Sequence, residues 1–156
     1  MTPTIADCLE QRYLRPVFQP IGSLATGDIL GYEALIRGPV GTPLENPVAL
    51  FAEAARAGAL VRMERLAART AIAAFMQARL PGKLFLNYSA DSLRDIEDTR
   101  EDVRNFLQRV DMPSDRIVLE LTEQAPLGPL ESLTKAVFSI RARGAQFALD
   151  DYGTGH

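Results

Sequence analysis

Short apolar segments alternate along the chain with longer stretches in which apolar residues recur at helical spacing. Residues 16–21 (PVFQPI) and 29–36 (ILGYEALI) are separated by a Thr-Gly-Asp turn, and this pattern predicts an antiparallel hairpin. The segment 38–47 is rich in Gly and Pro and predicts a loop. Residues 1–15 are expected to form a lead-in helix before the first strand.

Helices are predicted on either side of Gly58. Asn46 suits a helix cap and Pro47 the first helical turn, so the first of these helices is expected to begin there and to stop at Gly58. The Ala- and Arg-rich segment 60–79 predicts the second, with apolar positions such as Ile72 and Phe75 in the core.

The rest of the chain repeats a strand–helix unit. Strands are predicted at 83–89, 116–123 and 146–152, with helices around 103–110 and 130–140 between them. Their polar ends, Asn87, Glu120 and Asp150, lie 33 and 30 residues apart, which is the length of one such unit and predicts parallel strands joined by crossover helices. This rhythm fits an open doubly wound sheet or part of a barrel. No Gly-rich phosphate-binding motif is present.

Composition narrows the range of partners. The 156 residues carry a formal net charge of -3, and the arginines are scattered, so neither a nucleic acid nor an anionic membrane surface is an expected partner. A small anionic ligand remains compatible with this balance. Cys8 is the only cysteine, which excludes an internal disulfide and fits a reducing compartment. Without a membrane-length apolar run or a signal-peptide core, we expect a cytoplasmic protein.

Oxygen-bearing side chains mark the strand ends. In a parallel α/β barrel the carboxyl ends of the strands share one rim, so Glu33, Asn87, Glu120, Asp150 and Asp151 could meet in one pocket. Carboxylates gathered in this way repel one another unless cations lie between them. With no His or Cys set nearby, the oxygens favour a hard ion such as Mg²⁺ or Mn²⁺.

Each of these residues also has a purely structural interpretation. Asn87 could cap the following helix, Asp150-Asp151 could form an Asx turn, and Glu33 could be a solvated residue of the hairpin. Glu120 fits such an interpretation less well, because it interrupts a strand that should be buried and a buried carboxylate needs a partner.

Five motifs in the same order and spacing resemble those of the EAL domain family of cyclic di-GMP phosphodiesterases. They are FQPI at 18–21, YEALIRG at 32–38, LNYS at 86–89, ELTE at 120–123 and DDYGTG at 150–155, where the family usually has DDFGTG. The resemblance implies an α/β fold, a modified TIM-like (β/α)₈ barrel whose first strand runs antiparallel to the others, with about five strands in this chain.

The resemblance also implies a bacterial signalling activity, the hydrolysis of the second messenger cyclic di-GMP to linear pGpG with Mg²⁺ or Mn²⁺. Carried over by position, the metal ligands would be Glu33, Asn87, Glu120, Asp150 and Asp151, with Glu33, Asp150 and Asp151 also catalytic. Arg37 would hold a phosphate, as its planar fork suits two phosphate oxygens better than lysine would. Gln19 and Leu35 would line the ligand cleft, and Glu123 would stabilise the loop that begins at Asp150.

The family pattern extends beyond His156 to a lysine, a glutamate and a glutamine, so we expect residues 1–156 to be one EAL domain cut after the paired-aspartate loop and inactive alone. Such a fragment is expected to self-associate or to form a homodimer. Three hypotheses follow: part of a longer active phosphodiesterase, a degenerate module that binds cyclic di-GMP or a protein without hydrolysis, or an unrelated half-barrel in which the motifs coincide.

Overall fold

The computed structural model describes residues 3–122 and 129–150, and it follows the predicted order of strands and helices. In chain order the elements are α1 (Ile5–Gln11), β1 (Arg15–Gly22), β2 (Ile29–Arg37), α2 (Pro47–Arg56), α3 (Leu60–Gln77), β3 (Lys83–Tyr88), α4 (Ala90–Asp98), α5 (Arg100–Arg109), β4 (Ile117–Thr122), α6 (Leu130–Arg141) and β5 (Gln146–Asp150). Short 3₁₀ turns precede α2 and β4.

Within the described residues the strands form one sheet in the order β1-β2-β3-β4-β5. The β1–β2 pair is antiparallel, and each later pair is parallel. Both the hairpin and the parallel strands predicted from the sequence are therefore confirmed. The result is an α/β fold, a partial barrel whose first strand runs against the rest. None of the helices in residues 3–122 and 129–150 combines the length and apolarity needed to cross a bilayer.

The structure corrects two of the predicted helices. The lead-in helix covers Ile5–Gln11 only, because a capping box between Thr4 and Asp7 starts it and Arg12 ends it in a left-handed conformation at φ 55°. The single helix expected around 103–110 is the second of two. α4 begins directly after β3 and ends at Thr99, whose hydroxyl donates to the carbonyl oxygen of Asp95.

The core lies between the sheet and its helices. Phe75 of α3 is fully buried, and the rings of Phe18 and Tyr32 meet it edge-on at centroid distances of 5.9 and 6.2 Å. The guanidinium of Arg116 lies over the same ring at 5.0 Å, while its Nη2 and Nε donate to backbone carbonyls at the end of α3 and just before β3. Aromatic packing and a cation–π contact thus hold α3 against the sheet.

Two glycines let β3 approach β2. A Cβ placed on Gly31 would lie 2.3 Å from the carbonyl oxygen of Lys83, and one on Gly82 would lie 2.4 Å from that of Leu30. Gly82 also has a φ of +75°. The two backbones meet so closely that a side chain at either position would force them apart. The parallel register from Gly31↔Lys83 to Glu33↔Phe85 depends on this contact.

We predict that Gly31→Ala lowers the free energy of unfolding by roughly 1–3 kcal/mol, as overpacking against a fixed backbone does. Gly22→Ala is the matched control in the same hairpin, because its new Cβ would lie at an ordinary 3.7 Å from the nearest atom, and it should change stability by less than about 0.5 kcal/mol. Urea denaturation of both variants measures the difference. Equal stability of the Gly31→Ala and Gly22→Ala variants would show that the pairing of β2 with β3 does not require glycine at position 31.

A surface ion pair ties α4 to the end of α6. Nη1 of Arg143 donates to the Glu97 carboxylate at 3.0 Å, and Arg100 lies 3.4 Å from its other oxygen. Hydrogen bonds from Arg143 and then Ser139 lower the pKa of Glu97 from 4.5 to about 2. The folded chain therefore holds this carboxylate ionised in acid that would protonate it in the unfolded chain.

Because the folded pKa is the lower one, the Glu97 contribution is present above about pH 4.5 and is lost as the pH falls toward 2. Glu97→Gln should lower the free energy of unfolding at pH 7 by about 0.5–1 kcal/mol, the size of a surface pair, and the deficit should narrow between pH 5 and pH 3. Denaturant titrations across this range measure it. Glu101→Gln, which removes an exposed pair within α5, should show a smaller and flatter effect. A pH-independent deficit for Glu97→Gln would contradict the assignment.

Candidate functional site

Within residues 3–122 and 129–150 the helices pack against one face of the sheet, and strand alternation decides which side chains lie on that face and which lie on the other. In β3, Leu84, Leu86 and Tyr88 are buried on the helix side, while Phe85 and Asn87 lie on the other. The predicted site residues of β1–β4 lie on this second face, here called the open face. The carboxyl ends of the parallel strands β2–β5 share one edge of it.

The contact at the centre of this face joins two neighbouring strands. Nδ2 of Asn87 on β3 donates a hydrogen bond of 2.8 Å to Oε1 of Glu33 on β2. Glu33 is half-buried and Asn87 is exposed. Because the amide donates through nitrogen, its carbonyl oxygen remains an acceptor, and the second Glu33 oxygen lies beside it. The pair presents two oxygen-bearing groups to the same space.

Glu120 extends the set by one strand. It is the register partner of Asn87 on one side and of Ala148 on β5 on the other. Its strand neighbours Leu119 and Leu121 are buried on the helix side. Glu120 interrupts the apolar sequence of β4 because it lies on the opposite face of the sheet from Leu119 and Leu121. Glu120 is half-buried, and its Oε2 is shielded from solvent.

Residues of the hairpin occupy the same face. Gln19 pairs with Glu33 across β1 and β2, and Leu35 and Arg37 follow Glu33 at every second position. Gln19 is exposed, while Leu35 and Arg37 are half-buried. Nη1 of Arg37 donates to the carbonyl oxygen of Ile36 at 3.1 Å, and its planar guanidinium carries further N–H donors.

Part of the predicted set lies outside the described residues. The backbone of Asp150 ends β5 opposite Thr122, whereas Asp151 and Glu123 lie outside the described ranges. Among residues 3–122 and 129–150 no group of three or more Asp, Glu, His or Cys side chains gathers as a metal site would require. The described contribution to the site is two carboxylates, Glu33 and Glu120, with the amide of Asn87 in contact with the first and in register with the second.

One supporting residue was missed from the sequence. The Glu64 carboxylate on α3 accepts hydrogen bonds from the backbone N–H of Ser89, at 3.2 Å, and from its hydroxyl, at 2.8 Å. Ser89 also caps α4. Glu64 therefore fixes the chain two residues after Asn87. A charged residue on an Arg-rich helix gives no sequence signal of this role.

Between Asn87 and Ser89, the side chain of Tyr88 lies on the helix side of the sheet. Burial raises the pKa of its phenol, and the nearby carboxylates of Glu64 and Asp95 raise it further. The phenol thus stays neutral at physiological pH. The buried ring of Tyr88 holds the end of β3 on the helix side of the sheet. Glu64 holds the next residue, Ser89, by hydrogen bonds.

The donor chemistry of the open face suits a hard divalent cation. Carboxylate and amide oxygens are ligands that Mg²⁺, Mn²⁺ and Ca²⁺ accept, and no His or Cys is among them. The Glu33–Asn87 contact shows that the fold brings side chains that carry such oxygen ligands from separate strands within hydrogen-bond distance of each other. Arg37 lies on the same face, where a planar guanidinium suits a phosphate group.

Comparison with known proteins agrees with this geometry. The curated relatives include the cyclic di-GMP phosphodiesterase PdeL of Escherichia coli, 29% identical over 163 residues that cover 100% of this chain and 44% of PdeL. The cyclic di-GMP phosphodiesterase PA2567 of Pseudomonas aeruginosa is 30% identical, over 90% of this chain and 24% of its own length. The chain therefore spans less than half the length of these relatives.

Among solved structures, a calcium and cyclic di-GMP complex of BlrP1 from Klebsiella pneumoniae superimposes with a TM-score of 0.80. It is 27% identical, and the match covers 100% of this chain and 38% of BlrP1. The sequence profile of the EAL domain matches residues 4–156, which is nearly the whole chain. The motifs, the partial barrel and this match lead to one conclusion: the chain belongs to the EAL domain family.

Proposed function

We propose that this chain supplies the metal and substrate site of a cyclic di-GMP phosphodiesterase that cleaves its substrate to linear pGpG. The observation that carries the proposal is the hydrogen bond between Asn87 and Glu33, with Glu120 in register beside it. Support comes from PdeL and PA2567, which are named cyclic di-GMP phosphodiesterases, and from the BlrP1 complex with cyclic di-GMP. As the chain matches only part of each, the activity of the whole protein is part of the proposal.

In this proposal Glu33, Asn87, Glu120, Asp150 and Asp151 hold Mg²⁺ or Mn²⁺. Structures of BlrP1 with calcium and with manganese support a divalent ion. When bound, a pair of such ions would supply an activated water and neutralise charge on the phosphate during in-line displacement. The residues of this chain hold the side chains that would bind the ions in position. Glu33 is positioned by Asn87, and Glu120 is held by the strands on either side of it.

The remaining residues bind the dinucleotide. Arg37 pairs with a phosphate on the open face, and Gln19 and Leu35 line the cleft beside it. The alternating positions of these three on adjacent strands support a continuous binding surface. Glu123 stabilises the loop that begins at Asp150, and Asp150 and Asp151 join Glu33 in catalysis.

We also propose that the protein works in the cytoplasm and as a homodimer. The buried free thiol of Cys8 supports a reducing compartment. Cyclic di-GMP as ligand supports a role in bacterial signal transduction. The dimer is tested by light scattering of the full-length protein with and without cyclic di-GMP.

Glu33→Gln in the full-length protein should reduce pGpG formation by more than about 100-fold, since even a residue that only supports a metal ligand contributes about 10–100-fold. Chromatographic separation of pGpG from cyclic di-GMP measures the rate. Glu53→Gln, the same change at a position on α2 whose side chain is 46% exposed, should leave the rate unchanged. Full activity in Glu33→Gln would refute the metal assignment. A parent protein that binds cyclic di-GMP without cleaving it would instead identify a degenerate binding module.

Asn87→Asp should make the fold depend on a divalent cation. The substitution replaces a donated hydrogen bond with a second carboxylate facing Glu33, which should cost roughly 1–2 kcal/mol of stability at pH 7 without metal. Added Mg²⁺ should restore more of the melting temperature in this variant than in the parent. Asn105→Asp, on an exposed position of α5, is the charge-matched control. If Mg²⁺ raises the melting temperatures of the two variants equally, the cation does not bind between Glu33 and position 87.

A further inference from the structure

A large cavity lies on the opposite side of the sheet from the candidate site. It encloses about 690 Å³ between the helix-facing sides of β3 and β4 and the helices α3 to α6. Packed protein interiors contain few voids larger than a water molecule, whereas ligand pockets typically measure about 300–1,000 Å³. The size of this cavity is that of a ligand pocket.

The helix α5 covers this cavity without filling it. None of its residues is fully buried, and its apolar side chains Val103, Phe106 and Leu107 line the cavity while only half-buried. Opposite them, Ile72, Leu86 and Leu119 form an apolar floor. The apolar surfaces of roof and floor are held apart by space into which an apolar molecule would fit.

A buried hydroxyl lies in the same wall. Ser92 of α4 is 2% exposed and lines the cavity, and its Oγ has no hydrogen-bond partner among the described residues. A buried hydroxyl without a partner costs free energy that a ligand acceptor would recover. This polar atom is a specific feature of the wall, distinct from the apolar surfaces around it.

The charges of the wall favour an anion. Arg65 is paired with Asp95 through both carboxylate oxygens, and Arg104 with Glu101. Arg69 of α3 also lines the cavity, yet within residues 3–122 and 129–150 it has no carboxylate partner. Its guanidinium lies 5.1 Å from the centre of the Phe106 ring, at the junction of apolar roof and helix α3. An arginine placed between apolar surfaces and without a counter-ion is a site for a carboxylate.

We propose that this cavity binds an anionic amphipath, a molecule with a flexible apolar body and one carboxylate. The carboxylate pairs with Arg69, and the body lies between Phe106, Leu107 and the floor of the cavity. The site is separate from the open face and does not depend on the phosphodiesterase activity.

The occupant would lie directly behind the candidate site. Leu86 and Tyr88 line the cavity, and Asn87 between them lies on the open face. The same alternation places Leu119 in the cavity wall and Glu120 on the open face. The cavity and the candidate metal ligands therefore lie on opposite faces of β3 and β4, separated by the thickness of the sheet.

Decanoate is the probe for this proposal. Isothermal titration of the protein with decanoate, below the concentration at which it forms micelles, should show saturable binding of one molecule per chain. Decanol and decyltrimethylammonium have the same apolar length without the negative charge, and both should bind at least about tenfold more weakly, a difference of about 1.4 kcal/mol. Equal affinity for decanoate and decyltrimethylammonium would refute the anionic specificity. Absence of saturable decanoate binding would refute the site itself.

Two pairs of variants locate the binding. Arg69→Gln should weaken decanoate binding about tenfold or more and leave decanol binding unchanged. Arg62→Gln, the same change at an exposed position of α3 outside the cavity, should alter neither. Leu107→Trp should fill the cavity from α5 and abolish binding of both probes, with circular dichroism confirming a folded protein. If Arg69→Gln binds decanoate as Arg62→Gln does, the carboxylate does not lie at Arg69 and the proposal is wrong.

Discussion

The close contact between the backbones of β2 and β3 determines much of the remaining geometry. Gly31 and Gly82 allow a separation at which no Cβ would fit, and the register that results aligns Glu33 with Phe85. Asn87 then lies two residues further along β3, within reach of the Glu33 carboxylate. A different register would move Asn87 along the strand or to the other face. The candidate site is in this sense a product of backbone packing at the opposite end of the strands.

The helical layer fixes the ends of the strands that carry the site. Phe75 and Arg116 hold α3 against the sheet, and Glu64 on the same helix accepts two hydrogen bonds from Ser89. One helix thus supports both the core and the chain two residues after Asn87. Polar groups at strand ends need such support, because exposed and half-buried polar side chains supply little packing energy of their own.

Much of the fold could be predicted from the sequence because its signals are local. The hairpin turn, the cap at Asn46 and the spacing of polar strand ends each correspond to an element or a register in the structure. The division of one predicted helix into α4 and α5 was missed, because 90–98 contains few apolar residues and Thr99 ends α4 through its side chain. Glu64 and the cavity under α5 depend on contacts between distant segments, for which the sequence alone has no pattern.

The alternation of faces within β3 and β4 limits how these strands can change over evolutionary time. A substitution alters one side chain, but insertion or deletion of a single residue would exchange the two faces beyond that point. Asn87 or Glu120 would turn toward the helices, and Leu86 or Leu119 toward solvent. Length variation in this domain is therefore expected in its loops and helices, while the strands accept only changes that preserve their count. The two faces of the sheet therefore share one register, and a shift of one residue along a strand would disrupt the packing of the helix side and the candidate site together.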